Sequence, residues 1–169
     1  MTGEACHPEP LAALRTGSAK EPIPGYSYLA SYRLLLTLPR MLFYVAVGSA
    51  LGGVSRYLLG GLVQRMLDTT FPAGTLFVNV SGSFLLGAIL RYAVDTPSLS
   101  PEVRALLTIG FCGGYTTFST FSYETVALLR DGEWTRASLY VAASVLLSIA
   151  GTFLGFGLAR EVIAFRGRI

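Results

Sequence analysis

Residues 110–123 read GFCGGYTTFSTFSY. Two adjacent glycines, Gly113 and Gly114, are followed by four hydroxyl side chains, Thr116, Thr117, Ser119 and Thr120, inside an otherwise apolar segment. Each glycine lowers helix propensity by about 1 kcal/mol relative to alanine. The hydroxyls compete with the helix for its own backbone groups. The pattern therefore predicts a helix broken at this point. A break at membrane depth frees amides and carbonyls that cannot face lipid, so it must be buried in protein or line a polar site, as discontinuous helices do where they bind ions. The alternative for the glycine pair is close helix packing, which small residues also permit.

Other polar residues recur at helical spacing. Thr75, Asn79 and Ser83 step by four, with Gly82 beside them, and so share a helix face. Tyr140, Ser144 and Ser148 make a second line at the same spacing. Phe118 and Phe121, three apart, share a face next to Thr117 and Thr120. An intramembrane Asn alone serves as interhelical glue, and two Phe alone are ordinary apolar surface. Two aligned polar lines beside a broken helix read better as a pore lining. Phenylalanine ring edges carry partial positive charge and suit an anion in a dry passage. Two charged residues fall inside apolar sequence, Arg56 in GGVSRY and Glu124 after the Phe pair, and intramembrane charges are functional candidates by default. Arg56 also lies near enough to the end of its segment to snorkel to the interface.

These residues need long apolar helices to position them, and the composition supplies them. Of the 169 residues 52% are hydrophobic and 14% charged, against roughly 25% charged in soluble domains, and the mean hydropathy is +0.56. This is the composition of an integral membrane protein. The net charge of +3, with twelve of thirteen basic residues Arg and no dense basic run, argues against a nucleic-acid partner. Cys6 and Cys112 are too differently placed to pair, and His7 beside Cys6 is too few ligands for zinc.

Hydropathy resolves four spans, about 42–62, 74–94, 103–130 and 137–158, within a region 41–169. The connections QRMLDTTFPA, DTPSLSPE and DGEW hold helix-ending Pro, Gly, Asp or Ser and leave no room for a soluble catalytic domain. Ser100 followed by Pro101 and Glu102 predicts a helix start. Residues 1–40 carry five of the eight prolines and are expected to be a disordered tail, dispensable for insertion. Beyond Met41, one side of the membrane would hold Arg91, Arg104, Arg160, Arg166 and Arg168, the other Arg56, Arg65, Arg130 and Arg136. Five against four gives no fixed orientation: either the tail, with Arg15, Lys20, Arg33 and Arg40, decides it or the protein inserts both ways.

Taken together, GGVSRY, FPAGTLFVNVSGSF, GFCGGYTTFSTFSYE and YVAAS resemble the Fluc (CrcB) fluoride ion channels, over about residues 41–158. The resemblance implies an all-α, multi-pass cell-membrane protein of four transmembrane helices, the third broken at mid-membrane, paired as an antiparallel dual-topology homodimer. It implies passive, fluoride-specific export. A structural sodium ion on the dimer axis would be held by the backbone carbonyls of Gly113 and Thr116, oxygen ligands that suit a hard cation. The fluoride pathway would comprise Asn79, Phe118, Phe121, Tyr140, Ser144 and Ser148, with Thr75 and Ser119 among its polar wall, a vestibule Arg56 and Glu124 nearby. The rival is a four-span proton-coupled multidrug transporter, which requires a carboxylate in the first span. This chain has Arg56 there and no acid. No embedded His and no nucleophile beside a base suggests an enzyme.

Overall fold

The computed structural model describes residues 24–95 and 99–166, with side chains described for 38–94 and 99–166. The chain divides into two units, Met1–Leu36 and Thr37–Ile169, and every side-chain contact below belongs to the second. All the regular structure among the described residues is helical: α1 (Pro24–Leu67), α2 (Ala73–Asp95), α3 (Pro101–Ala105), a π-helical segment Leu106–Cys112, α4 (Gly113–Tyr115), α5 (Phe118–Arg130) and α6 (Trp134–Arg166). Within the tail expected to be disordered, residues 1–23 lie outside the described residues, while the backbone is helical from Pro24 onward. Proline is tolerated in a first turn, and the stretch LASYRLLLTL that follows is rich in good helix formers.

Among the described residues three helices are long and apolar enough to cross a membrane, Leu38–Leu67, Ala73–Val94 and Trp134–Arg166. Their large apolar side chains point outward, with Leu58 at 59% and Leu146 at 65% exposure, the arrangement of a protein whose solvent is lipid. The chain is an all-helical, multi-pass membrane protein.

Each connection ends its helix by a local device. Asp68 takes a left-handed conformation, φ 42°, at the end of α1, a geometry Asp tolerates better than most residues. Gly132, φ 79°, turns the chain between α5 and α6. At the start of α3, Ser100 accepts the Val103 amide at 3.3 Å with Pro101 in the first turn, as its sequence predicted. Bonding by its own backbone amide and by the Ser100 hydroxyl holds the Glu102 carboxyl below the ordinary carboxylate range, with Arg40 4.0 Å away adding to the effect.

The helical run from Pro101 to Arg130 is interrupted within the stretch expected to break, at its threonines and not at its glycines. Gly113 has regular helical angles, φ −65° and ψ −38°. The extended residues are the next threonines, Thr116 (φ −85°, ψ 159°) and Thr117 (φ −151°, ψ 117°). β-Branched side chains are content in extended backbone, and Thr117 then caps α5, its hydroxyl accepting the Thr120 amide at 3.2 Å. Gly114 serves close approach instead: a Cβ there would lie 2.6 Å from the Ser49 carbonyl oxygen of α1. Gly113 is exposed, and the nearest obstacle to a Cβ is the Thr108 oxygen at 4.0 Å.

Among α2 to α6 the most extensive helix pair is α2 with α6, which run side by side in the same direction. Gly87 and Gly155 set their separation, since a Cβ on either would collide with the facing carbonyl, that of Thr152 or Phe84. At one end of this pair Leu128, Ala137 and Tyr140 are buried, and Phe71, Leu76, Phe121 and Leu129 pack around them.

Candidate functional site

The interruption at Thr116 and Thr117 leaves backbone groups without helical partners, and Asn79 of α2 supplies the replacement. Its Oδ1 accepts the Thr117 amide at 2.7 Å, and its Nδ2 donates to the Thr117 carbonyl at 3.0 Å. In a continuous helix the Thr117 amide would bond to the Gly113 carbonyl; here Asn79 takes it. The Asn79 amide has a second N–H beyond this pair. The Thr116 carbonyl accepts from Arg56 Nη1 at 3.3 Å, and the Thr116 hydroxyl donates back to the Cys112 carbonyl at 2.9 Å. Thr117 Oγ1 donates to Thr120 Oγ1 at 3.0 Å and lies 3.2 Å from Ser119 Oγ.

A second cluster forms around Glu124 of α5. Its Oε1 accepts from the Thr75 hydroxyl at 2.8 Å and its Oε2 from the Tyr140 hydroxyl at 2.6 Å. Hydrogen bonds to a carboxylate are among the stronger kinds, and this pair ties α2, α5 and α6 together. A ladder of rings continues from it. Phe71 meets Tyr140 edge-on with centroids 5.5 Å apart, Phe121 lies 5.2 Å from Tyr140, and Phe118 lies 5.6 Å from Phe121.

Two cavities flank the interruption, and Thr117 lines both. The larger, about 650 Å³, has Arg56, Thr75, Thr120 and Glu124 in its wall. The smaller, about 430 Å³, is walled by Asn79, Gly113, Thr116, Phe118, Ser144 and Ser148 among others, and none of its wall residues is charged. Ser144 contributes a buried hydroxyl with no hydrogen-bond partner. Phe118, in contrast, is 79% exposed.

The predicted residues thus gather on one helix interruption but not in a single track. Tyr140 lies with Thr75 and Glu124, fully buried, whereas Ser144 and Ser148 of the same line reach the smaller cavity. Phe121 bridges the two groups through its rings, and Ser119 is exposed beside Thr117. Gln64 was missed by sequence reading. Its Nε2 donates to the carbonyls of Thr69 at 2.5 Å and Phe71 at 3.0 Å, and its Oε1 accepts the Gly74 amide at 3.0 Å. It fixes the loop that leads to Thr75, and its only sequence signal is an amide one turn before the Asp68 stop.

This arrangement offers N–H and O–H donors and ring edges. Among the described residues no three His, Cys, Asp or Glu side chains gather as metal ligands. Oxygen coordination at the interruption would have to come from carbonyls.

The model of the CrcB-like, camphor-resistance family matches residues 43–156. Relatives named fluoride-specific ion channel FluC are similar over nearly their whole length. That of Geobacter sulfurreducens is 54% identical over 118 residues, 70% of this chain and 95% of its own. Those of Thermus thermophilus and Aquifex aeolicus are 49% and 44% identical, covering 70% and 72% of this chain and 94% and 98% of theirs. The chain belongs to the CrcB family.

Proposed function

We propose that this protein is a passive, fluoride-specific ion channel that exports fluoride across the cell membrane; its relatives are named fluoride-specific ion channels. The observation that carries the reading is the wall of the smaller cavity: the Asn79 amide, the unpartnered Ser144 hydroxyl, Ser148 and the Phe118 ring, with no charged side chain. Fluoride is small and strongly hydrated, so a pore must replace its lost water with donors while holding it weakly enough to let go. Donors and ring edges do this, and a fixed cation in the same wall would trap the ion. Arg56 stands instead in the larger cavity, where it raises the local concentration of anions at the entrance.

In this account residues 103–130 form a third transmembrane helix broken near mid-membrane, giving four spans. Two protomers pair antiparallel and insert both ways, in keeping with the near-even arginine distribution. The exposed Phe118 and the open Gly113 face the second copy. The account includes a sodium ion at the same place. What supports it is that the Gly113 carbonyl loses its helical N–H to Asn79 and the Thr116 carbonyl, on extended backbone, has only the 3.3 Å bond from Arg56 Nη1, which the ion would have to share or displace; both are hard oxygen donors. Two such carbonyls from each protomer would hold the ion, which would neutralise dipoles otherwise facing one another.

The proposal is tested in cells lacking a fluoride exporter of their own. Expression of this chain should restore growth in fluoride, whereas a chain carrying Asn79→Asp should not. Equal fluoride sensitivity with and without the wild-type chain would refute export.

A further inference from the structure

We propose that Ser83 of α2 is a further fluoride-binding residue, its hydroxyl donating to the ion at the Ser148 end of the smaller cavity; the inference rests on that cavity being the fluoride path. A helical hydroxyl readily bonds back to the carbonyl one turn earlier. Ser81 does so to Phe77 at 2.7 Å, Ser122 to Phe118 at 2.9 Å and Thr125 to Phe121 at 2.8 Å. Ser83 does not. Among the described residues no hydrogen bond engages its hydroxyl, although the Asn79 carbonyl stands one turn before it.

The hydroxyls that line the smaller cavity divide by what their protons do. Thr108 gives its proton to the Arg104 carbonyl at 2.8 Å, Thr116 to the Cys112 carbonyl at 2.9 Å and Thr117 to the Thr120 hydroxyl at 3.0 Å. A hydroxyl has one proton to donate, so these three have none left for an anion. Ser83, Ser144 and Ser148 keep theirs. Two of these belong to α6, and Ser83 is their counterpart on α2. Packing holds it in that wall. A Cβ on its neighbour Gly82 would collide with the Thr116 methyl group, and a Cβ on Gly87, one turn on, with the Thr152 carbonyl. Ser83 lies between these two contacts, on the edge of α2 that faces both the helix interruption and α6. Thr152, one turn beyond Ser148, reaches the Ser83 carbonyl at 3.4 Å. The close contact at Gly87 shuts the seam beyond, so Ser83 is the last donor that α2 offers. It carries the donors of this helix one turn, about 6 Å, past Asn79, and an ion that leaves the Asn79 amide meets another hydrogen-bond donor before it meets water.

The test sets Ser83→Ala against Ser81→Ala in two measurements, initial fluoride efflux from liposomes at low fluoride and thermal unfolding in detergent. Ser83→Ala removes a donor but breaks no hydrogen bond within the protein. Its unfolding temperature should match wild type, while efflux should slow about tenfold, the worth of one hydrogen bond to an ion at ~1.5 kcal/mol. Ser81 spends its hydroxyl on Phe77 and Tyr115, outside the cavity, so Ser81→Ala should lower the unfolding temperature and leave efflux close to wild type. Wild-type efflux in Ser83→Ala would overturn the proposal, and so would slowed efflux with an unfolding temperature lowered as far as that of Ser81→Ala, which would make Ser83 a packing residue. A wild-type protein that passes no fluoride would refute the fluoride reading itself and this inference with it.

Discussion

Replacing Asn79 by Asp changes one atom's chemistry and tests how the helix interruption is held. The Oδ1 that accepts the Thr117 amide at 2.7 Å is kept, but the Nδ2 that donates to the Thr117 carbonyl at 3.0 Å becomes an acceptor-only oxygen. The loss of one hydrogen bond, with a buried carbonyl orphaned, costs about 1–3 kcal/mol. Asn79→Leu removes both bonds and orphans amide and carbonyl alike, so its cost is about twice as large on the same basis. Thermal unfolding in detergent at pH 7.5 should therefore rank wild type above Asp and Asp above Leu. Fluoride flux at pH 7.5 should be lost in the Asp variant, because a carboxylate now faces the anion. Asp and Leu variants as stable as wild type would show that Asn79 does not hold the interruption.

Phe118→Ile and Phe121→Ile keep apolar bulk but remove ring edges, and each should lower fluoride flux more than tenfold; only Phe121→Ile should also lower stability, by the ~0.5–1.5 kcal/mol of its contact with Tyr140. Normal conduction by both variants in a liposome assay would reduce the rings to packing. Gly113→Ala has room inside the protomer and should stabilise an isolated chain by up to about 1 kcal/mol through helix propensity, yet weaken a dimer that crosses closely at that point; crosslinking against dilution reads which sign prevails. Exchange of sodium for a bulky organic cation should weaken the dimer or stop flux, with potassium a poor substitute, and size-exclusion profiles indifferent to the cation would remove the proposed ion.

Local chemistry was legible wherever a single residue decided it. Ser100 before Pro101 specified a helix start, and DGEW a helix end, which the structure makes with a left-handed Gly132, because cap and turn geometry depend on few neighbours. The stretch that breaks was legible from GGYTTFST, but not which of its residues would leave the helix. Glycine propensity and hydroxyl competition both act there, and a residue on another helix, Asn79, decided which amide would leave the ladder. Propensity is a weak prior that tertiary partners override. The same applies to the Tyr140, Ser144 and Ser148 line. Spacing of four gives a shared face, yet the Glu124 carboxylate, sixteen residues from Tyr140, draws that hydroxyl into its own cluster. Gln64 was invisible because its partners are backbone atoms of the loop, which no side-chain pattern announces.

The central claim is selective, passive fluoride conduction, and efflux from liposomes tests it most directly. Vesicles containing the purified protein would be loaded in turn with potassium fluoride or potassium chloride, diluted into anion-free medium, and opened to potassium with an ionophore while an ion-selective electrode follows release. The account predicts rapid fluoride release from protein-containing vesicles and retention of chloride over the same period. Retention of fluoride, or release of chloride at a similar rate, would contradict it.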